Sequence, residues 1–305
     1  GAMTWCDQAL GFCDDTGCAL DPAPAYKEVG DRIDALSLTD WVHAWREVCT
    51  TKFRDRTPGV YAFVTYFDRL SHDEPERGVA FIEQALREEP DDEVINLIAK
   101  GKLLGQLLVF HAARATPLLQ ELALRQPRTR WLLGRQARAI ENGMVEDQTV
   151  AGRLLAICDA THYRAWKEQA HPKVEPIDFK SLPLLELASK WVEIMSRSEI
   201  EIERDDHWYD LYDYQHILTG SEPRKALALV KAVLEIEDNP NLLGSLSAGM
   251  LEDLIPHDDG PVVDAVVAEA AKDPQFQDLL CGVWFDGLSP KVVARLTWAR
   301  NQRRS

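Results

Sequence analysis

The feature that most constrains this chain is a self-similarity of very long period. A shift of 148 residues sets Tyr61 on Tyr209, Tyr66 on Tyr214, Leu70 on Leu218, Glu74-Pro75 on Glu222-Pro223, Leu86 on Leu234 and Glu89 on Glu237. The same shift sets Gly101 on Gly249, Leu103 on Leu251 and Gly134 on Gly282, and it keeps the apolar character of Val79/Leu227, Ile82/Val230, Val94/Leu242 and Ile98/Leu246. Neighbouring shifts of 150 and 147 bring Trp41 onto Trp191 and Pro127 onto Pro274. The matches fall on helix punctuation and on apolar faces, where a shared structure leaves its mark. A solenoid of repeats about 30–45 residues long is too short for this period. The expectation is a duplication: two tandem, structurally similar helical bundles. The N-terminal unit is expected over 3–170, a Pro-containing linker over 171–183 (HPKVEPIDFKSLP) and the C-terminal unit over 184–305.

Within each unit the periodicity is helical. In ERGVAFIEQALREE (76–89), Val79, Ile82, Ala85 and Leu86 recur at three- and four-residue spacing between charges. Asp73 ahead of Pro75 reads as the N-cap of that helix, and Pro90 as its stop. PVVDAVVAEAAKD (261–273) starts at Pro261 and lines one face with Val263, Val266, Val267 and Ala270. The stretch from His111 to Ile140 reads as two helices broken near Gln126-Pro127. No long alternation of β-branched residues is present, so the fold class is all-α.

Charge restricts the partners. Fifty acidic side chains against 34 basic ones give a formal net charge of −16. Nucleic acid, which calls for a basic patch, and anionic lipid are both disfavoured. A basic protein partner is favoured, drawn by the negative field. Gly1-Ala2 ahead of Met3 reads as residues left by cloning, and TWCDQALGFCDD (4–15) has neither the basic nor the apolar region of a secretory leader. No apolar run reaches the roughly 18 residues of a membrane span. Six cysteines are ordinary usage for a chain of 305 residues, and the expected setting is cytoplasmic with reduced thiols.

The C-terminal half carries a recognisable pattern. Gly249 is followed by Leu251-Glu252-Asp253-Leu254, then by Asp273-Pro274-Gln275-Phe276 and by Val283-Trp284. Over about residues 185–290 this resembles an uncharacterised all-helical domain family of bacteria, which implies a helical fold and no known activity. The first unit keeps Gly101 and Leu103 but has Leu104-Gly105 where Glu252-Asp253 stand, and Gln126-Pro127 where Asp273-Pro274 stand.

Candidate chemistry is sparse, and neither a catalytic nor a metal-ligating residue nor a cofactor site is assigned. Cys6, Cys13 and Cys18 lack C-x-x-C spacing, and read as apolar packing residues rather than a metal set or a Cys6–Cys18 disulfide. Glu252 and Asp253 are adjacent on a helix and do not share a face, so capping is favoured over paired-carboxylate catalysis. His257-Asp258-Asp259 and His72-Asp73 resemble fragments of a metal-dependent phosphohydrolase signature. The ligands such a hydrolase needs, to lower the pKa of a metal-bound water, would have to come from other helices. Ser245 and Ser247 between Gly244 and Gly249 only outline a nucleophile elbow, and no strand precedes them. No phosphate loop or dinucleotide fingerprint occurs.

Charge placement differs between the copies. Glu193, Glu199, Glu201, Glu203, Asp205, Asp206, Asp210 and Asp213 crowd one stretch, with Trp208, Tyr209, Tyr212 and Tyr214 interleaved, whereas the first unit has Lys52, Arg54, Asp55 and Arg56 there. Acid with Trp and Tyr suits an interface that attracts a basic partner and anchors on aromatics. The partner-binding residues expected are Glu199, Glu201, Glu203, Asp205, Asp206, Trp208, Asp210 and Asp213. The plain alternative is a solvated helix face whose aromatics, Tyr209 and Tyr214 above all, turn into the core. Arg125, Arg128, Arg130, Arg135 and Arg138 gather in the first unit and could pair with the acidic stretch. The function expected is that of a non-catalytic, acidic immunity protein of bacteria. It would inhibit a basic, nuclease-type toxin or effector by protein–protein interaction. A general helical adaptor or scaffold is the alternative, and a metal-dependent hydrolase a lesser one.

Overall fold

In the computed structural model, which describes residues 4–12, 26–100, 103–205 and 207–302, every regular element is a helix and no strand occurs among the described residues. The chain separates into two compact units. Unit 1 holds Gly1–Thr51, Asp55–Lys173 and Ser198–Arg204, and unit 2 holds Lys52–Arg54, Val174–Arg197 and Asp205–Ser305. The main division therefore falls inside the Pro-containing stretch 171–183. Two short segments depart from a simple cut, Lys52–Arg54 being packed in unit 2 and Ser198–Arg204 in unit 1.

Unit 1 begins with α1 (Trp5–Leu10), α2 (Tyr26–Ala35) and α3 (Leu38–Thr50). Thr4 and Ser37 start α1 and α3 with reciprocal capping boxes to Asp7 and Asp40, which satisfy N-terminal amides that have no helical partner. Next come α4 (Pro58–Asp73), α5 (Pro75–Glu88), α6 (Asp92–Ala99), the long α7 (Leu104–Arg125), α8 (Pro127–Gly134), α9 (Ala137–Glu141), α10 (Gln148–Leu155) and α11 (Ala160–Ala170). Proline opens α4, α5 and α8, where its missing N–H costs nothing. α7 is broken at His111 (φ −136°, ψ 25°), six residues ahead of the internal Pro117. The core is aromatic. Trp45 meets Phe67 edge-on at 5.0 Å, Phe67 lies 5.0 Å from Phe81, and Trp41 meets Tyr66 at 5.1 Å. Both indole N–H groups are satisfied, Trp41 donating to the Ile33 carbonyl and Trp45 to that of Val94.

Unit 2 comprises α12 (Leu184–Met195), α14 (His207–Ser221), α15 (Pro223–Ile236), α16 (Pro240–Leu246), α17 (Glu252–Leu254), α18 (Pro261–Ala270), α19 (Pro274–Leu279) and α20 (Pro290–Asn301); α13 (Glu199–Arg204) lies in unit 1. A single π turn, Ser247–Leu251, joins α16 to α17. α12 packs on α15, and α18 on α19 and α20. Trp191 is fully buried and donates to the Gln215 side chain at 2.9 Å.

Several expectations meet these elements directly. Val79, Ile82, Ala85 and Leu86 form the buried face of α5, and Val263, Val266 and Ala270 that of α18. α7 and α8 separate at Gln126-Pro127. Asp73 ends α4 instead of capping α5. The N-cap of α5 is Glu74, which makes no side-chain cap hydrogen bond, because α4 runs on to the residue before it. Tyr214 is half-buried, but Tyr209 is 43% exposed and does not turn into the core. Cys13, Cys18 and Gly101 lie outside the described residues.

Candidate partner-binding face

The acidic stretch is divided between the two units, and most of its first half is engaged within the protein. Glu203, on α13, accepts a hydrogen bond from Arg135 at 2.6 Å and lies 3.5 Å from the Lys100 ammonium. Asn96 joins them, its Oδ1 accepting from Arg135 at 2.8 Å. Burial pushes the Glu203 carboxyl up, but the hydrogen bond and charge of Arg135, with Lys100 and Lys167, outweigh it and hold the group below the usual carboxylate range. Glu199 pairs with Arg56 at 3.0 Å. Glu201 closes a capping box with Ser198, accepting from its backbone N–H at 2.8 Å. In unit 2, both carboxylate oxygens of Asp205 accept from Arg197 Nη1, at 2.7 and 2.8 Å, while Nη2 of the same guanidinium faces Glu193 at 3.4 Å. Asp206 lies outside the described residues. Ile200, on the same short helix as Glu199 and Glu203, is part of the unit 1 core. Of the arginine cluster, Arg135 pairs with Glu203, Arg125 with Glu83, and Arg128 binds the Leu86 and Glu89 carbonyls at the end of α5.

The second half of the stretch is different. On α14, Leu211, Gln215, Leu218 and Thr219 are buried, while Tyr209, Tyr212 and Ile217 are 43%, 54% and 64% exposed. Trp208 is half-buried and stacks on Tyr212 one turn on, ring centroids 5.5 Å apart and planes 10° from parallel. Tyr209 meets the Trp208 ring edge-on at 5.2 Å. Asp210 and Asp213 are exposed, and neither has an ion-pair partner among the described residues. Stacked rings that lose little freedom on binding, beside two uncommitted carboxylates, are the ingredients of an aromatic anchor on an acidic field.

Other candidate groups are committed to local structure. His257 Nδ1 hydrogen-bonds the Gly287 carbonyl, and Asp259 is held by Arg295 and by Lys291, the latter at 2.8 Å. His72 lies against the Phe110 ring at 4.2 Å. Glu252 accepts from the Trp284 amide at 3.0 Å, Asp273 caps α19 through the Gln275 amide, and Asp253 lies 3.8 Å from His216 at the surface. Ser247 donates to the Leu279 carbonyl at 2.6 Å from within the π turn. Burial raises the thiols of Cys6 and Cys49 strongly and that of Cys158 to about 12, so these three stay protonated at neutral pH. No group of three or more His, Cys, Asp or Glu side chains is placed to hold a metal ion among the described residues. A groove of about 500 Å³ in unit 1 is lined by Trp5, His43, Arg46, Glu47 and Glu88. There, both Glu47 oxygens accept the first amides of α1, and Arg46 is bound to Glu89. No single helix among the described residues is long and apolar enough to cross a membrane.

Residues 197–304 match the model of a Family of unknown function (DUF6869). The match covers α14 and the segments Gly249–Leu254, Asp273–Phe276 and Val283–Trp284. No curated protein and no solved structure matches the chain.

Proposed function

We propose that this chain is a non-catalytic binding protein whose outward face of α14 takes a basic protein partner. The observation that carries the reading is the ring cluster of half-buried Trp208 with exposed Tyr209 and Tyr212, flanked by Asp210 and Asp213, which have no ion-pair partner among the described residues, in a chain of net charge −16. The biological setting proposed is bacterial, cytoplasmic immunity against a basic, nuclease-type toxin. Plugging a basic substrate groove needs no catalytic group, and steering by charge speeds capture. Of the wider acidic stretch, Glu199, Glu201, Glu203 and Asp205 serve the internal ion pairs and cap described above. The contact surface proposed is therefore Trp208, Asp210 and Asp213 with the two tyrosines.

Two-copy ancestry is part of the same proposal, with units over about 3–170 and 184–305. What supports it is the recurrence of detail. α5 and α15 are each 14 residues long and begin at Pro75 and Pro223. Their N-caps have matching backbones, Glu74 at φ −133°, ψ 66° and Glu222 at φ −133°, ψ 58°. Buried Glu89 and Glu237 each accept the amide two residues on, and those residues, Asp91 and Asn239, cap the following helix.

The test is co-expression with the toxic product of a neighbouring gene, followed by titration of the purified pair. Rescue and a salt-sensitive complex are expected. Trp208→Ala should weaken that complex by about 2 kcal/mol, roughly 30-fold. Asp210→Lys with Asp213→Lys should slow association. Absence of both rescue and complex would overturn the proposal. Full binding after the double charge reversal would favour the adaptor or scaffold reading instead.

A further inference from the structure

We infer that Trp284 is a second anchor for the partner, and that the site is one strip, running along α14 and across α17, which takes an arginine-bearing basic segment. The inference rests on the α14 reading above and extends the site to residues which that reading leaves out.

Trp284 lies between α19 and α20 and is 68% exposed. The backbone that carries it is fastened on every side. Val283 before it is buried in the unit 2 core, and Phe285 after it packs against that core, with the Arg300 guanidinium 4.8 Å from its ring centroid. The Trp284 amide donates to Glu252 at 3.0 Å. Two more bonds tie this segment to the turn after α17: His257 Nδ1 bonds the Gly287 carbonyl, and the Ser289 amide donates to the His257 carbonyl at 3.0 Å. A single exposed apolar residue is ordinary. A large ring on a backbone held at this many points has little freedom left to lose on binding, which is what an anchor needs.

The two aromatic clusters are joined through α17, on which α14 packs. Trp208, Tyr212 and His216 follow one another at four-residue spacing along one flank of α14. His216 lies 3.8 Å from Asp253, and the neighbouring Glu252 holds Trp284. The strip thus passes from Trp208 to Trp284 within unit 2. Its far end is built by Leu251–Leu254 and Val283-Trp284. In those segments Leu251, Leu254 and Val283 fill the core, whereas Glu252, Asp253 and Trp284 do not. A binding strip gives these three a role that packing does not.

Charge specifies the occupant. Asp253, Asp258 and Asp286 are exposed, and none pairs with a Lys or Arg among the described residues. Each end of the strip therefore sets an aromatic ring beside carboxylates, Asp210 and Asp213 at one and Asp253 and Asp286 at the other. A planar guanidinium stacks on an indole face and still turns N–H groups to a carboxylate, which a lysine ammonium does less well.

The probe is a dodecapeptide alternating arginine with alanine, titrated onto the isotope-labelled full-length protein while the indole N–H signals are followed by NMR. Trp208→Phe and Trp284→Phe identify the two signals. Both are expected to shift along one saturation curve, with Kd below about 100 μM at low salt. Trp284→Ala should weaken binding about tenfold at an unchanged unfolding midpoint, because the side chain is exposed. Trp298→Ala, which removes another exposed tryptophan, should change nothing. The lysine–alanine peptide should bind about threefold more weakly. A shift of Trp208 alone would overturn the inference and leave the α14 reading standing, whereas a shift of neither would overturn both. A shift of Trp284 without Trp208 would overturn the single strip. Equal loss in Trp298→Ala, or equal binding of the lysine peptide, would reduce the effect to unspecific contact and overturn the inference as well. So would concentration-dependent shifts of both indoles in the protein alone, which would make a second copy the occupant.

Discussion

At Gly59, in the first turn of α4, the backbone amide donates to the buried Asp7 carboxylate at 2.9 Å. A Cβ there would lie 2.6 Å from the backbone of Cys6 and Asp7, so α1 can rest on α4 only because this residue has no side chain. Gly59→Ala should cost about 1–3 kcal/mol by forcing the two helices apart, read as a lower urea midpoint at unchanged slope. A change under about 0.5 kcal/mol would show that the contact does not matter. In the sequence Gly59 and Gly244 are both glycines inside helical patterns. Only the three-dimensional neighbours show that one is pressed against backbone and the other faces open space. The same limit applies to Tyr209: its match with Tyr61 under the repeat suggested a core role, yet it stands at the surface beside Trp208.

The helices themselves were the legible level. Apolar spacing located the buried faces of α5 and α18, and proline located the starts of α5, α8 and α18, because both signals are local. The acidic stretch was not legible at this level. It reads as one surface, but it is carried by α13 in unit 1 and α14 in unit 2, and only α14 keeps uncommitted carboxylates. The partners of α13 are distant in sequence: Arg135 is 68 residues and Arg56 143 residues from the glutamates they bind. Glu203 has a folded pKa below its unfolded value, so its stabilisation is complete above about pH 4.3 and is lost as pH falls through the folded value. Glu203→Gln should therefore destabilise the protein at pH 7, by about 2–3 kcal/mol, and the gap from wild type should shrink toward pH 3. Urea unfolding at both pH values measures it, and a gap independent of pH would refute the role of the ion pair.

On the scale of the whole molecule, the two short segments bear on whether each half is self-sufficient. Unit 1 uses Ile200 in its core and Glu199 and Glu203 in ion pairs. Unit 2 uses Phe53 against its core and the Arg54 carbonyl as acceptor for the Asn239 and Asn241 side chains. A fragment of residues 184–305 lacks Phe53 and Arg54 and carries an unpartnered α13. It is expected to melt below the full chain and with less cooperativity in circular dichroism. A fragment as stable as the full chain would show these segments to be dispensable.

The amino-acid sequence by itself determined the helices, their breaks, their apolar faces and the negative charge, because each follows from residues a few positions apart or from a simple sum. It also pointed to the correspondence around Glu-Pro and the tryptophans. Tertiary structure alone decided which carboxylates are consumed inside the protein and which aromatic rings remain at the surface. Those outcomes depend on which distant segments meet, and an ion pair closed across 68 or 143 residues leaves no periodic trace in the chain.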